Sequence, residues 1–143
     1  MSGGASNQNV GLLDSDGDPI NNLNPLPVVS GGTFTRKQLG QLRPPNTTAT
    51  SIYSPPASTT TIITSLVICN TTGSSVKARV FIDDDGTTYD QSTALIYDPD
   101  IAANTTVEFS IYWTMNDDNG NLAVRTETND ALTFTVFGVE ITP

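Results

Sequence analysis

Val76-Lys77-Ala78-Arg79-Val80-Phe81-Ile82-Asp83 sets Val76, Ala78, Val80 and Ile82 on one side of an extended chain and Lys77, Arg79 and Asp83 on the other. A period of two with a single apolar side belongs to an antiparallel sheet that covers a core on one face. The same period returns downstream. Val107, Phe109, Ile111 and Trp113 alternate with Glu108, Ser110 and Tyr112, and Leu132, Phe134 and Val136 alternate with Thr133 and Thr135. Thr72-Gly73-Ser74, Asp85-Gly86, Asp98-Pro99, Asn119-Gly120 and Asn129-Asp130 separate such runs with residues that favour turns. Strands are therefore expected at 48–54, 60–69, 75–83, 92–98, 105–112, 120–127 and 131–140. Seven short strands predict an all-β protein, an antiparallel β-sandwich of Ig-like or jelly-roll-like type, because one open sheet would leave its apolar face wet. The strand at 60–69 is apolar on both faces, with Ile62, Leu66 and Ile68 on one and Ile63, Val67 and Cys69 on the other. It is expected to be central, or covered on its outer face by other chain.

The residues ahead of these strands read differently. Residues 1–46 combine Gly, Asn and five prolines with scattered large apolar side chains. Proline blocks helix propagation and removes ladder donors, whereas a fully disordered tail would carry fewer large apolar groups. The division expected is an extended N-terminal arm over 1–46 and a sandwich over 47–143. The arm's candidate contacts are apolar Leu12, Leu13, Ile20, Val28, Val29 and Phe34, with Arg36, Lys37 and Arg43 as polar anchors.

Composition narrows the function. Fifteen acidic and six basic residues give a net charge of -9. With the arm ending at residue 46, all of that excess falls on the sandwich. An acidic domain repels phosphate backbones, so no nucleic-acid partner is expected. No apolar run approaches the about 20 residues that span a bilayer, so no membrane partner is expected. The opening Met1-Ser2-Gly3-Gly4 has neither the basic nor the apolar region of a secretory leader. The Asn-x-Thr triplets at Asn46, Asn70 and Asn104 therefore read as turn chemistry rather than glycan sites. Cys69 is the single cysteine, which excludes an intrachain disulfide and reads as a small buried hydrophobe.

The chain has no histidine, which removes the usual base of serine hydrolases and a frequent zinc ligand. Nothing in the sequence marks Glu108, Glu127 or Glu140 as one of a catalytic carboxylate pair. No enzyme activity, catalytic residue, cofactor or metal is expected. Asp14-Ser15-Asp16-Gly17-Asp18 begins like a calcium loop, but Pro19 and Pro25 stand where the loop needs Gly and Glu. Asp83-Asp84-Asp85-Gly86 and Asp117-Asp118-Asn119-Gly120-Asn121 are better read as acidic turns than as cation sites. Tyr53, Tyr89, Tyr97 and Tyr112 are available for stacking on a sugar, while Trp113 follows the inward register of its strand.

Several short motifs carry a resemblance. They are Leu39-Gly40-Gln41, Ile52-Tyr53 with Pro56-Ala57, Cys69-Asn70, Tyr97-Asp98, Ile101-Ala102-Ala103-Asn104-Thr105-Thr106, Asn121-Leu122 and Phe134-x-x-Phe137-Gly138-x-Glu140-Ile141. In this order and spacing, residues 39–142 resemble a small virion-protein module of tailed bacteriophages. The Asp83-Asp84-Asp85 run and the acidic Asn116–Asn121 connection depart from that module. The resemblance implies a structural virion component, assembled in the host cytoplasm. Joined to the arm, it suggests a capsid decoration or cement protein. Such a protein would self-associate as a homotrimer and link subunits of the major capsid protein. The alternatives are a tail-fibre or adhesin subunit that binds host surface glycan, and a neck or connector protein.

Overall fold

The computed structural model describes residues 31–143 and, ahead of them, Gly17 alone. All regular structure among the described residues is strand: β1 Thr33–Leu42, β2 Thr50–Tyr53, β3 Thr60–Asn70, β4 Val76–Asp83, β5 Ala94–Ile101, β6 Thr105–Met115, β7 Asn121–Thr126 and β8 Leu132–Thr142. Gly32–Pro143 forms one compact unit.

The strand pairing is nested. β4 pairs with β5, β3 with β6, β2 with β7 and β1 with β8, all antiparallel. The chain is thus one long two-stranded ribbon that doubles back at the β4–β5 connection. The ribbon then rolls up, bringing β8 against β3 and β7 against β4. Two four-stranded sheets result, ordered β1-β8-β3-β6 and β2-β7-β4-β5. This double Greek key is the jelly-roll order. The antiparallel sandwich expected from the alternation is present, with eight strands rather than seven.

The additional strand is β1. Its residues Thr33–Leu42 fall within the segment read from sequence as arm, so the sandwich begins at Gly32 and not at Thr47. β1 is an edge strand held by its ladder to β8, and six of its first residues are exposed. An exposed edge of this kind carries little apolar alternation, which is why the period-two signal is missing there. The boundary also moves charge. All six basic residues lie beyond Gly32, whereas the preceding segment carries only Asp14, Asp16 and Asp18.

The core lies between the inner faces. Leu66, Ile68, Phe134 and Val136 from one sheet meet Val80, Leu122, Val124 and Ile101 from the other, each no more than 1% exposed. Each such side chain contributes about 1.5–3 kcal/mol when fully buried. Val76, Ala78 and Val80 point inward as their alternation requires, with Ile82 packed at the core margin. Val107, Phe109, Ile111 and Trp113 line the same side of β6, partly buried because β6 is also an edge.

β3 departs from simple alternation. Its register shifts between Ile63 and Ser65 against both neighbours. A bulge of one residue exchanges the faces. Ile63 therefore joins Leu66 and Ile68 inside, and Ile62 shares the outer face with Val67 and Cys69. Cys69, expected in the core, is half-buried on that outer face.

Asn70 closes the strand. Its buried amide donates to the carbonyls of Ser74 (2.8 Å) and Ile101 (2.9 Å), and its Oδ1 accepts from the backbone N and the hydroxyl of Thr72. Asn46 accepts similarly from the Thr48 backbone N. At these two triplets the asparagine builds a turn, as the sequence implied.

Candidate functional site

The arm contacts read from sequence divide into two groups. Leu12, Leu13, Ile20, Val28 and Val29 lie outside the described residues. Phe34, Arg36 and Lys37 lie on β1, and Arg43 directly follows it. Lys37 is engaged within the sandwich, its Nζ 2.6 Å from Glu140 Oε2. Glu140 also accepts from the Tyr53 hydroxyl at 2.9 Å, and that hydroxyl contacts Thr61 Oγ1 at 2.6 Å. Four strands, β1, β2, β3 and β8, are joined through this network. The Arg43 guanidinium donates to the Asp130 carbonyl, while the Asp130 backbone N donates to the Pro44 carbonyl. Arg36 stays exposed on the outer face beside Phe34.

Burial, and then the nearby Glu140 carboxylate, push the Tyr53 hydroxyl above its ordinary pKa of about 10. A raised folded-state value favours the native state only while tyrosine stays protonated when unfolded. That contribution is complete below the unfolded pKa and declines as pH rises toward the folded one. Tyr53→Phe is expected to lower stability by about 1–3 kcal/mol at neutral pH, because Glu140 and Thr61 lose a buried partner. Above pH 10 the variant should lose less stability than the wild type. Denaturant titrations at pH 7 and pH 11 test both statements.

The acidic loops are built by their own carboxylates. Asp83 Oδ2 accepts the Thr88 backbone N at 2.6 Å, which draws its pKa down. Asp90 Oδ1 accepts from Ser92 Oγ and N, which lowers its pKa likewise. Asp117 Oδ1 accepts the Asn119 backbone N at 2.8 Å. Among the described residues no three His, Cys, Asp or Glu side chains gather as a metal site would require.

Two surfaces stand out among the described residues. The first is the outer face of the β1-β8-β3-β6 sheet. Its cross-strand rows run Arg36–Val139–Ile62–Thr114 and Gln38–Phe137–Ser65–Ser110. Tyr112 is 74% exposed, Phe34 65% and Phe137 39%. A concavity of about 680 Å³ opens between Tyr112, Phe137, Val139 and Arg36. Lone exposed apolar residues are ordinary, but a contiguous band marks an interaction surface.

The second is a groove of about 500 Å³ on the outer face of the β2-β7-β4-β5 sheet. Arg125, Arg79 and Tyr97 form one cross-strand row over β7, β4 and β5. Arg79 binds Asp98 through two hydrogen bonds, 2.6 and 2.7 Å long, and its guanidinium lies 4.0 Å from the Tyr97 ring centroid. That pairing holds the Asp98 carboxyl below the usual carboxylate range. Tyr89 packs over buried Phe81 with ring centroids 6.3 Å apart. Arg125 donates through Nε to the Thr47 carbonyl at 2.6 Å. Sequence reading picked out both tyrosines but not the arginines, since their neighbourhood depends on register between strands distant in the chain.

No protein-family model and no curated protein matches the chain. Among solved structures it is similar to a chain of the cyanophage Pam1 capsid asymmetric unit, at 12% identity over 82% of this chain and 90% of that one, with a TM-score of 0.41. A pentameric capsid protein from metagenomic phage sequences is similar at 13% identity, over 96% of this chain and 79% of that one, with a TM-score of 0.36. The tobacco streak virus coat protein is similar at 10% identity, over 82% and 89%, with a TM-score of 0.38.

Proposed function

We propose that this chain is a structural protein of a tailed-bacteriophage virion, a capsid decoration or cement protein rather than an enzyme. The observation that carries the reading is the apolar band of Phe34, Phe137, Tyr112, Val139 and Ile62 on the outside of a jelly roll. The jelly roll is a fold of viral capsid domains among others, and the band supplies what an assembling subunit needs. The band joins copies of the protein into a homotrimer. The segment before Gly32 reaches the major capsid protein, with Leu12, Leu13, Ile20, Val28 and Val29 as its apolar contacts. Asp14, Asp16 and Asp18 suit a basic surface there. The mechanism is mass action: a segment that binds the assembled shell and not free subunits stabilises the shell. Several such segments on one oligomer strengthen attachment through effective concentration.

Sedimentation of the full-length protein tests the self-association. The wild type should sediment as a trimer, and Tyr112→Glu or Phe137→Glu as a folded monomer, since both side chains lie outside the sandwich core. A wild type that is monomeric at all concentrations, or variants that remain trimeric, would remove this face from the account.

A further inference from the structure

The row Arg125–Arg79–Tyr97 contains an electrostatic cost that the fold leaves standing. Arg79 and Arg125 are direct cross-strand partners, and like charges so placed are destabilising. Asp98 neutralises Arg79, at the expense of a left-handed backbone conformation, with φ at 60°. Arg125 has no ion pair of its own, and Asp98 attracts it only at longer range. Its Nε is spent on an uncharged carbonyl, and among the described residues its terminal nitrogens meet no carboxylate within ion-pair distance. This cation, without a direct ion pair among the described residues, lies on a domain with 12 acidic and six basic residues beyond Gly32.

The surroundings of Arg125 narrow what would satisfy it. Tyr97 is 43% exposed and stands at the other end of the row, with Tyr89, Gln91 and Thr48 around the same groove. Aromatic rings offer flat apolar contact, and hydroxyl and amide groups offer both donors and acceptors. That mixture matches a pyranose ring, which has an apolar face and a hydroxylated rim. Asp90 also borders the groove, its Oδ1 already taken by Ser92. Its negative charge disfavours a multiply charged ligand such as a phosphate or sulfate cluster. One anionic group remains admissible, and a planar carboxylate fits the fork of a guanidinium.

We propose that this groove binds a saccharide bearing a single carboxylate, a uronic-acid type of sugar unit, with the carboxylate on the Arg125 terminal nitrogens and the ring against the part of Tyr97 that Arg79 leaves exposed. The groove faces away from the apolar band, on the opposite sheet, so it can hold sugar while that band is covered. The site adds a ligand to the structural role and does not depend on it.

Saturation-transfer NMR of the full-length protein with glucuronic acid and with glucose as probes tests the site. Glucuronic acid at about 10 mM, in the range where weak single-sugar sites fill, should receive saturation on its ring protons, and glucose should receive much less. Arg125→Gln should weaken the signal about tenfold. Arg125→Lys, which keeps the charge but not the fork, should fall between them. Tyr97→Ala should abolish it, and Tyr112→Phe on the other sheet should change nothing. Melting curves for each variant establish that it is folded. No transfer to glucuronic acid, or binding that Arg125→Gln leaves intact in a folded protein, overturns the proposal. Equal binding of glucose overturns the carboxylate assignment.

Discussion

A chain that begins at Gly32 is expected to fold and melt cooperatively, and a chain that begins at Thr47 is not. The fifteen-residue difference between those two starts contains β1, which pairs with β8 from Thr33↔Thr142 to Leu42↔Phe134. Removing it takes Leu39 and Leu42 from the core margin and Lys37 from Glu140. It also takes Arg43 and Pro44 from their contacts with Asp130. β8 would become an unprotected edge carrying Phe137, Val139 and Ile141, a template for aggregation. Native domains hold only about 5–15 kcal/mol in total, and the loss of a whole edge strand is of that order. Circular dichroism melts of the two truncations decide the point. The Gly32 chain should also lose attachment to particles, since it lacks the segment proposed to bind the shell. A Thr47 chain that melts like the full-length protein would return β1 to the arm. A Gly32 chain that binds particles fully would remove the arm from the mechanism.

Gly138→Val should cost about 3 kcal/mol, with Gly138→Ala at about 2 kcal/mol. Gly138 lies in β8 between Lys37 of β1 and Ile63 of β3. A Cβ there would overlap the Ile62 backbone carbonyl and sit 2.7 Å from Leu39 Cδ1. The leucine could turn aside, but the carbonyl belongs to the ladder beside the β3 bulge. Relief therefore requires a shift of backbone in two strands. For a domain of this size, about 4 °C of melting temperature is lost per kcal/mol, so Gly138→Ala should melt about 8 °C lower. A variant that melts with the wild type would show that β3 yields at the bulge without cost. A glycine inside a strand permits such a close backbone approach.

Strands whose one side faces the core were legible, because burial imposes the period of two. β4, β6 and β8 each follow the alternation read from Val76–Asp83, Val107–Trp113 and Leu132–Val136. β1 was not legible, since its stability comes from hydrogen bonds to a strand about a hundred residues away and from few apolar contacts. The same reason hid the roles of Lys37 and Arg43. They read as polar anchors of the arm to a partner, yet both are engaged with groups near the far end of the chain. Strand order was equally out of reach, because nested pairing and rolling join residues with no local sequence relation. Outward-facing Tyr97 and Tyr112 were legible from parity. Their separation onto two different sheets, one beside Arg79 and the other beside Phe137, required the register.

The most direct test of a virion role is location. An antibody raised against residues 32–143 would be applied to intact phage particles from lysates that contain the protein and imaged by electron microscopy. Label spread at regular intervals over the head is the expected result. Label confined to the tail, or particles without label from lysates that contain the protein, would contradict it.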